Sequence, residues 1–268
     1  MLKQRVLTVA VALPLFLAAL FYLPNRWWAL TMMLLMIAGG YEWARLARFN
    51  AVARFSFLAV LAAGCIMLAM TPGHAAAERW IYGASLAFWC VAAPCWLRFK
   101  WRARAAALAV AGILVLLPTW LAAVRLQQEP SQLLTVLAVV WIADTAAFFT
   151  GKSCGKRKLA AHISPGKTWE GVAGAAVAVV LYAWLAGAFS LLPKIGTAAG
   201  MTAIIGAFLA MTALSIVGDL FESLLKRTAG VKDSGNLLPG HGGLLDRIDG
   251  ITAALPFAAL LYAGGGGA

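Results

Sequence analysis

Residues Ser223–Asp249 read SLLKRTAGVKDSGNLLPGHGGLLDRID, and this stretch sets how the rest of the chain is read. It crowds Lys, Arg, Asp and Gly into a chain that is otherwise apolar. Of the 268 residues, 63% are hydrophobic and 12% charged, and the mean hydropathy is +0.85. Soluble domains carry about 25% charged residues. The composition is that of an integral membrane protein, and the polar stretch is a site at its surface. Cations, carboxylates and bare backbone amides at this density suit phosphates bound through a metal ion.

Outward from this stretch lie apolar runs. Nine of them span or nearly span a bilayer: about 6–23, 27–46, 56–71, 80–97, 105–124, 132–149, 171–192, 198–218 and 248–264. A helical span takes roughly 17–25 residues, and the third run is the shortest. In lipid the backbone must satisfy its own hydrogen bonds, which leaves helices or a closed barrel. The period-two alternation of a barrel is absent. The expected fold is therefore all-α, a polytopic bundle of about nine transmembrane helices. The basic start MLKQR resembles a signal peptide, but its apolar run is longer than a typical h-region. No clear cleavage site follows, so it reads as a retained first helix.

Arg26, Arg79, Arg125 and Lys194 fall on one side of this arrangement, and all other Lys and Arg on the opposite side. The basic side is the cytoplasmic one. That places the amino terminus and two polar loops, 150–170 and 220–247, in the cytoplasm. Topology and attraction to anionic headgroups explain the net charge of +12, with no need for nucleic acid. Residues 1–125 read as a helical scaffold offering dimer contacts, and 126–268 as the region that carries chemistry. The 11 Trp suit interfacial belts. Cys65, Cys90, Cys95 and Cys154 lack metal-ligand spacing and read as free thiols.

Seven of the ten acidic residues, from Asp144 onward, lie in or beside the two polar loops. Carboxylates within or at the edge of apolar helices are costly and mark function by default. Asp144 sits inside the sixth run, in WIADTAAFF. Asp219 closes the eighth, in SIVGDLFESLLKR. If that helix continues, Asp219, Glu222, Ser223 and Lys226 share a face. A solvated helix end with an i,i+4 ion pair between Glu222 and Lys226 gives the same pattern. Asp246 and Asp249 share a face at the start of the ninth run. Either one alone suits a helix cap. Two together beside a glycine-rich turn suit hard oxygen ligands, since Mg²⁺ typically takes one or two carboxylates plus phosphate oxygens. Gly240, Gly242 and Gly243 let successive N–H groups face one concavity. His241 between them is placed to donate to an oxyanion. Zinc spacing is lacking around His241, His74 and His162.

The first polar loop contains GKSCGKRKLAAHISPGKTWEG, residues 151–171. Lys156, Arg157 and Lys158 read largely as positive-inside anchoring. Lys167 follows Pro165 and Gly166 in a turn ahead of a helix and reads as a phosphate contact. GKS and GKT resemble the end of a P-loop, which needs a Gly five positions earlier. Ala146 and Ala161 stand there instead, and GxGxxG is absent, so Walker and dinucleotide-binding folds are excluded.

The pattern S-x-x-K-R-x4-K-D-x-G-x-x-x-P-G-H-G-G-x-x-D-R-x-D resembles the signature of phosphatidate cytidylyltransferases, the CDP-diacylglycerol synthases. Every element is present, from Ser223, Lys226, Arg227, Lys232, Asp233 and Gly235 through Pro239–Gly243 to Asp246, Arg247 and Asp249. The upstream segment DTAAFFTGKSCGKRKLAAHISPGKTWEG is similar to the family's second polar segment. The resemblance implies that CTP and phosphatidic acid give CDP-diacylglycerol and pyrophosphate, with Mg²⁺ and a second cation of open identity. It also implies a homodimeric enzyme of the bacterial inner membrane with its site on the cytoplasmic side. On this reading Asp219, Asp246, Asp249 and Asp144 hold metal, and the first three act in catalysis with Lys167. Ser223, Lys226, Arg227, Lys232, His241, Gly242, Gly243 and Arg247 bind CTP and pyrophosphate. Ser164, Lys167 and Thr168 meet the lipid phosphate.

Two other readings use the same residues. A secondary transporter would move protons or Na⁺ through Asp144 and Asp219, but it predicts inverted repeats and charge at mid-membrane. Neither is evident. A CTP-dependent lipid kinase would need a base to deprotonate a lipid hydroxyl.

Overall fold

The computed structural model describes residues 2–71, 75–101, 103–188, 198–237 and 242–265. Their helices are α1 (Leu2–Tyr22), α2 (Asn25–Leu46), α3 (Ala51–Met70), α4 (Ala75–Ala87), α5 (Ala93–Phe99), α6 (Ala105–Leu126), α7 (Pro130–Cys154), α8 (Trp169–Ala188), α9 (Ala198–Ala229) and α10 (Leu245–Gly265). A π turn, Phe88–Ala92, joins α4 to α5 without a break. The nine apolar runs thus become nine helical rods among the described residues. Local chemistry moves their ends. Asn50 caps α3 by accepting from the N–H of Ala53 at 2.8 Å, so this helix begins ahead of its apolar run. Helix α9 runs on past its apolar stretch to Ala229. It stops where Gly230 adopts φ +74° and the Val231 N–H bonds back to the Lys226 carbonyl at 2.9 Å.

Among the described residues, six helices are long and apolar enough to cross a membrane: Ala51–Met70, Ala75–Phe99, Ala105–Leu126, Pro130–Cys154, Trp169–Gly187 and Gly200–Ala229. Helix α2 carries Arg26, Glu42 and Arg45, and α10 carries Asp246, Arg247 and Asp249 near its start. This is an integral membrane protein built as a helical bundle.

One element departs from an all-α fold. Within the first polar loop, β1 (Lys158–Ala160) pairs antiparallel with β2 (Ser164–Thr168). Such a hairpin satisfies its backbone across strands and belongs outside the hydrocarbon core. The Trp residues also divide differently from a simple interfacial belt. Trp28, Trp43, Trp89, Trp96 and Trp120 are buried. Each of these indoles except Trp89 donates to a backbone carbonyl, as Trp28 does to Ala123 at 3.0 Å and Trp120 to Ala29 at 2.9 Å. These two bonds clamp α2 to α6 from both sides.

Two features place the polar segments. Phe221 on α9 packs against Phe88, Trp89 and Trp96 of the α4–α5 rod, with ring centroids 5.4, 5.7 and 5.4 Å away in edge-on contact. That cluster fixes the end of α9 that carries Asp219 and Glu222. Helices α9 and α10 then cross closely at two glycines. A Cβ on Gly218 would strike the Asp249 carbonyl, and one on Gly250 would strike the Ser215 hydroxyl. Small residues let helices in lipid approach to backbone contact. Here the approach brings Asp219 beside Asp249.

Candidate active site

The two polar segments meet in one cavity of about 630 Å³. Asp144 and Lys152 reach it from α7, and Lys158, Ser164, Lys167 and Thr168 from the hairpin. Asp219 reaches it from α9, and Asp246, Arg247 and Asp249 from α10. The four carboxylates singled out in the sequence therefore share one wall space, although Asp144 and Asp249 are far apart along the chain. The Lys167 ammonium sits 2.6 Å from Asp219 Oδ2, and the Ser223 hydroxyl donates to Asp219 Oδ1 at 3.3 Å. A second tie joins the segments, from Arg227 Nε to the Ile163 carbonyl in the hairpin turn at 3.4 Å.

Asp246 is held on both sides. Its Oδ1 accepts from Lys226 at 2.5 Å. Its Oδ2 accepts from the N–H groups of Ser234 and Gly243, each at 2.9 Å, and lies 3.0 Å from the Ser234 hydroxyl. The Gly243 bond reaches back across the first turn of α10, as a capping carboxylate does. Burial alone would push the Asp246 carboxyl up. The Lys226 ammonium and the two N–H groups outweigh it and hold the group below the usual carboxylate range.

Other expected residues are placed as follows. Lys226 forms its i,i+4 pair with Glu222 at 2.7 Å, but the pair is buried rather than solvated, and Asp246 completes it. Thr168 caps α8, accepting from the Gly171 N–H at 3.1 Å, while it also lines the cavity. Gly242 has φ +87°, a backbone suited to Gly, and its neighbour Gly243 spends its N–H on Asp246. Lys232 is exposed and lies off the cavity lining. His241, Gly240 and Pro239 lie outside the described residues. Lys156 and Arg157 are not in the cavity lining, and their backbone N–H groups are held by Glu170 at 3.1 Å each.

Lys152 and Lys158 line the cavity, although nothing in the basic run around them sets them apart from their neighbours. Strand pairing makes the distinction, since Lys158 opens β1 opposite Thr168. Glu42 of α2 was missed altogether. It is 4% exposed and accepts from the N–H groups of Leu244 and Leu245 at 3.0 and 2.9 Å, where α10 begins. No sequence pattern links residues two hundred positions apart.

A site of this kind, carboxylates and cations facing one another at the edge of an apolar bundle, handles phosphate groups through charge neutralisation. The carboxylates are hard oxygen donors of the type Mg²⁺ prefers. Among the described residues, no three His, Cys, Asp or Glu side chains stand close enough to hold an ion as they are arranged. Lys167 and Lys226 neutralise Asp219 and Asp246 instead.

The model of the cytidylyltransferase family matches residues 3–264. The phosphatidate cytidylyltransferase of Pseudomonas aeruginosa is 43% identical over 278 residues, covering 100% of this chain and 100% of that protein. The protein of that name from Haemophilus influenzae is 34% identical over 285 residues, covering 98% and 99%. That from Brucella suis is 46% identical over 137 residues, 50% of this chain and 47% of its own. The chain belongs to the cytidylyltransferase family.

Proposed function

We propose that this protein transfers the cytidylyl group of CTP to phosphatidic acid, giving CDP-diacylglycerol and pyrophosphate. The observation that carries the reading is the shared cavity, in which cations from the hairpin face carboxylates from α7, α9 and α10. The full-length similarity to phosphatidate cytidylyltransferases supports the choice of substrates.

The lipid phosphate is the nucleophile. One of its oxygens bonds to the α-phosphorus of CTP, the bond from that phosphorus to the bridging oxygen breaks, and pyrophosphate leaves with the electron pair. A phosphate monoester is already anionic near neutral pH, so no strong base is needed. The barrier is the approach of two polyanions. Lys167, Lys158 and Ser164 on the hairpin are placed to meet the lipid phosphate. Arg247 and Lys152 line the same cavity and suit the triphosphate. Asp144, Asp219, Asp246 and Asp249 would hold Mg²⁺, which when bound offsets charge on the phosphoryl oxygens. The ammonium of Lys167 would then be released from Asp219 toward substrate. A second cation, nine spans with a cytoplasmic amino terminus, an inner-membrane site facing the cytoplasm and a homodimer complete the proposal. The steep bias of Lys and Arg supports that orientation.

The test uses purified protein in detergent with Mg²⁺ and CTP, offered either phosphatidic acid or a lipid alcohol. Lipid-soluble cytidine and pyrophosphate from phosphatidic acid alone is the expected result. Turnover of the alcohol alone would replace this reading with the kinase.

A further inference from the structure

Glu42 stands in the amino-terminal half, among residues that otherwise form scaffold. Its two oxygens hold both ends of the segment that precedes α10. Oε1 accepts from the Leu244 N–H at 3.0 Å, Oε2 from the Leu245 N–H at 2.9 Å, and Oε2 also lies 2.9 Å from the Ser234 hydroxyl. The same hydroxyl lies 3.0 Å from Asp246 Oδ2. A hydroxyl has one proton to donate, so Ser234 stands between the two carboxylates and gives its proton to one of them at a time. Gly235 and Gly243 are shaped to this arrangement. A Cβ on either would collide with Glu42. Arg48, just past the end of α2, adds a second tie by donating to the Ala229 carbonyl at the end of α9, 3.1 Å away.

We infer that Glu42 is a positioning residue for cytidylyl transfer, acting from α2 through Ser234 and the first turn of α10 to set Asp246 and Arg247 at the cavity wall. The inference rests on the proposed reaction. It assigns the amino-terminal half a direct part in the geometry of the site. Glu42 touches no reacting group. Its effect is on where the Asp246 carboxylate and the Arg247 backbone stand, and small displacements of positioned groups cost rate.

The experiment compares E42Q with wild type, as purified full-length protein with CTP, phosphatidic acid and Mg²⁺. Glutamine keeps the shape but turns one acceptor into a donor facing N–H and O–H groups. Turnover per folded molecule is expected to fall about tenfold to a hundredfold, as for a misplaced catalytic group. The KM for phosphatidic acid should stay within about twofold, because the hairpin is untouched. E78Q is the control. It breaks the partly buried Glu78–Arg125 pair, 2.5 Å apart and off the cavity lining, and should lower the melting temperature while leaving kcat unchanged. Wild-type turnover in E42Q overturns the inference, as does a loss that E78Q reproduces at equal loss of stability. If E42Q does not fold, S234A decides. It keeps both backbone bonds to Glu42, and a several-fold loss of kcat is expected, whereas wild-type kcat overturns the link. A wild-type chain that makes no lipid-linked cytidine defeats the proposed reaction itself, and the inference falls with it.

Discussion

Lys226 is pinned between Glu222 and Asp246, and both carboxylates are buried. From sequence it reads equally as a phosphate contact or as one half of a helix ion pair. The geometry favours a structural role, since its ammonium already has two acceptors within 2.7 Å. Breaking a buried ion pair leaves a charge without a partner and costs about 3–5 kcal/mol. Lys226→Met should therefore lower the midpoint of thermal unfolding sharply. A variant as stable as wild type but with a raised KM for CTP would make Lys226 a substrate contact instead. Lys167 is the opposite case. It lines the cavity and pairs with Asp219, while Lys156 is exposed and off the lining. Lys167→Ala should lose about a hundredfold to a thousandfold in kcat, the scale of one lost donor to developing charge. Lys156→Ala should stay within about threefold of wild type, as for an exposed charge. Equal losses would place the whole basic loop, rather than Lys167, at the reaction.

At the scale of elements, hydropathy located the nine rods, because spans in lipid must be helices of fixed length. It did not locate the hairpin. KLA and SPGKT are too short and too polar for a period to show, and their pairing is set by the Ala160–Ile163 turn and by Glu170 gripping the Lys156 and Arg157 N–H groups. The α9–α10 crossing was equally silent. Gly218 and Gly250 look like ordinary helical glycines until the partner backbone is seen to fill the space of their side chains. Gly250→Leu should push the helices apart, part Asp219 from Asp249, and abolish turnover with a large loss of stability. Gly206, on the same α9, has open space where a Cβ would stand. Gly206→Ala should keep full turnover and gain up to about 1 kcal/mol. Similar outcomes for the two substitutions would show that the close crossing does not shape the site.

Across the whole molecule, the sequence located the site in its two polar segments because charge is scarce everywhere else. It could not show Glu42, whose surroundings in YEWARL are those of any packed helix. Its partners lie at the other end of the chain. The two halves are thus less separate than a scaffold and a catalytic region. Phe221 packs on the α4–α5 rod, and Glu42 holds the start of α10. Both polar segments must also face the same side of the bilayer. In a background without native cysteines, Lys156→Cys and Lys232→Cys should both react with an impermeant maleimide in inside-out vesicles and neither in right-side-out ones. Reaction from opposite faces would contradict the shared site.

The central claim is that the bond broken lies between the α- and β-phosphates of CTP while a lipid phosphate attacks. Following the label from CTP marked at either the α- or the γ-phosphate, with phosphatidic acid as acceptor, tests this directly. The α-label should enter the lipid fraction with cytidine, and the γ-label should appear only in pyrophosphate. Transfer of the γ-label to lipid, with cytidine diphosphate left in solution, would contradict it.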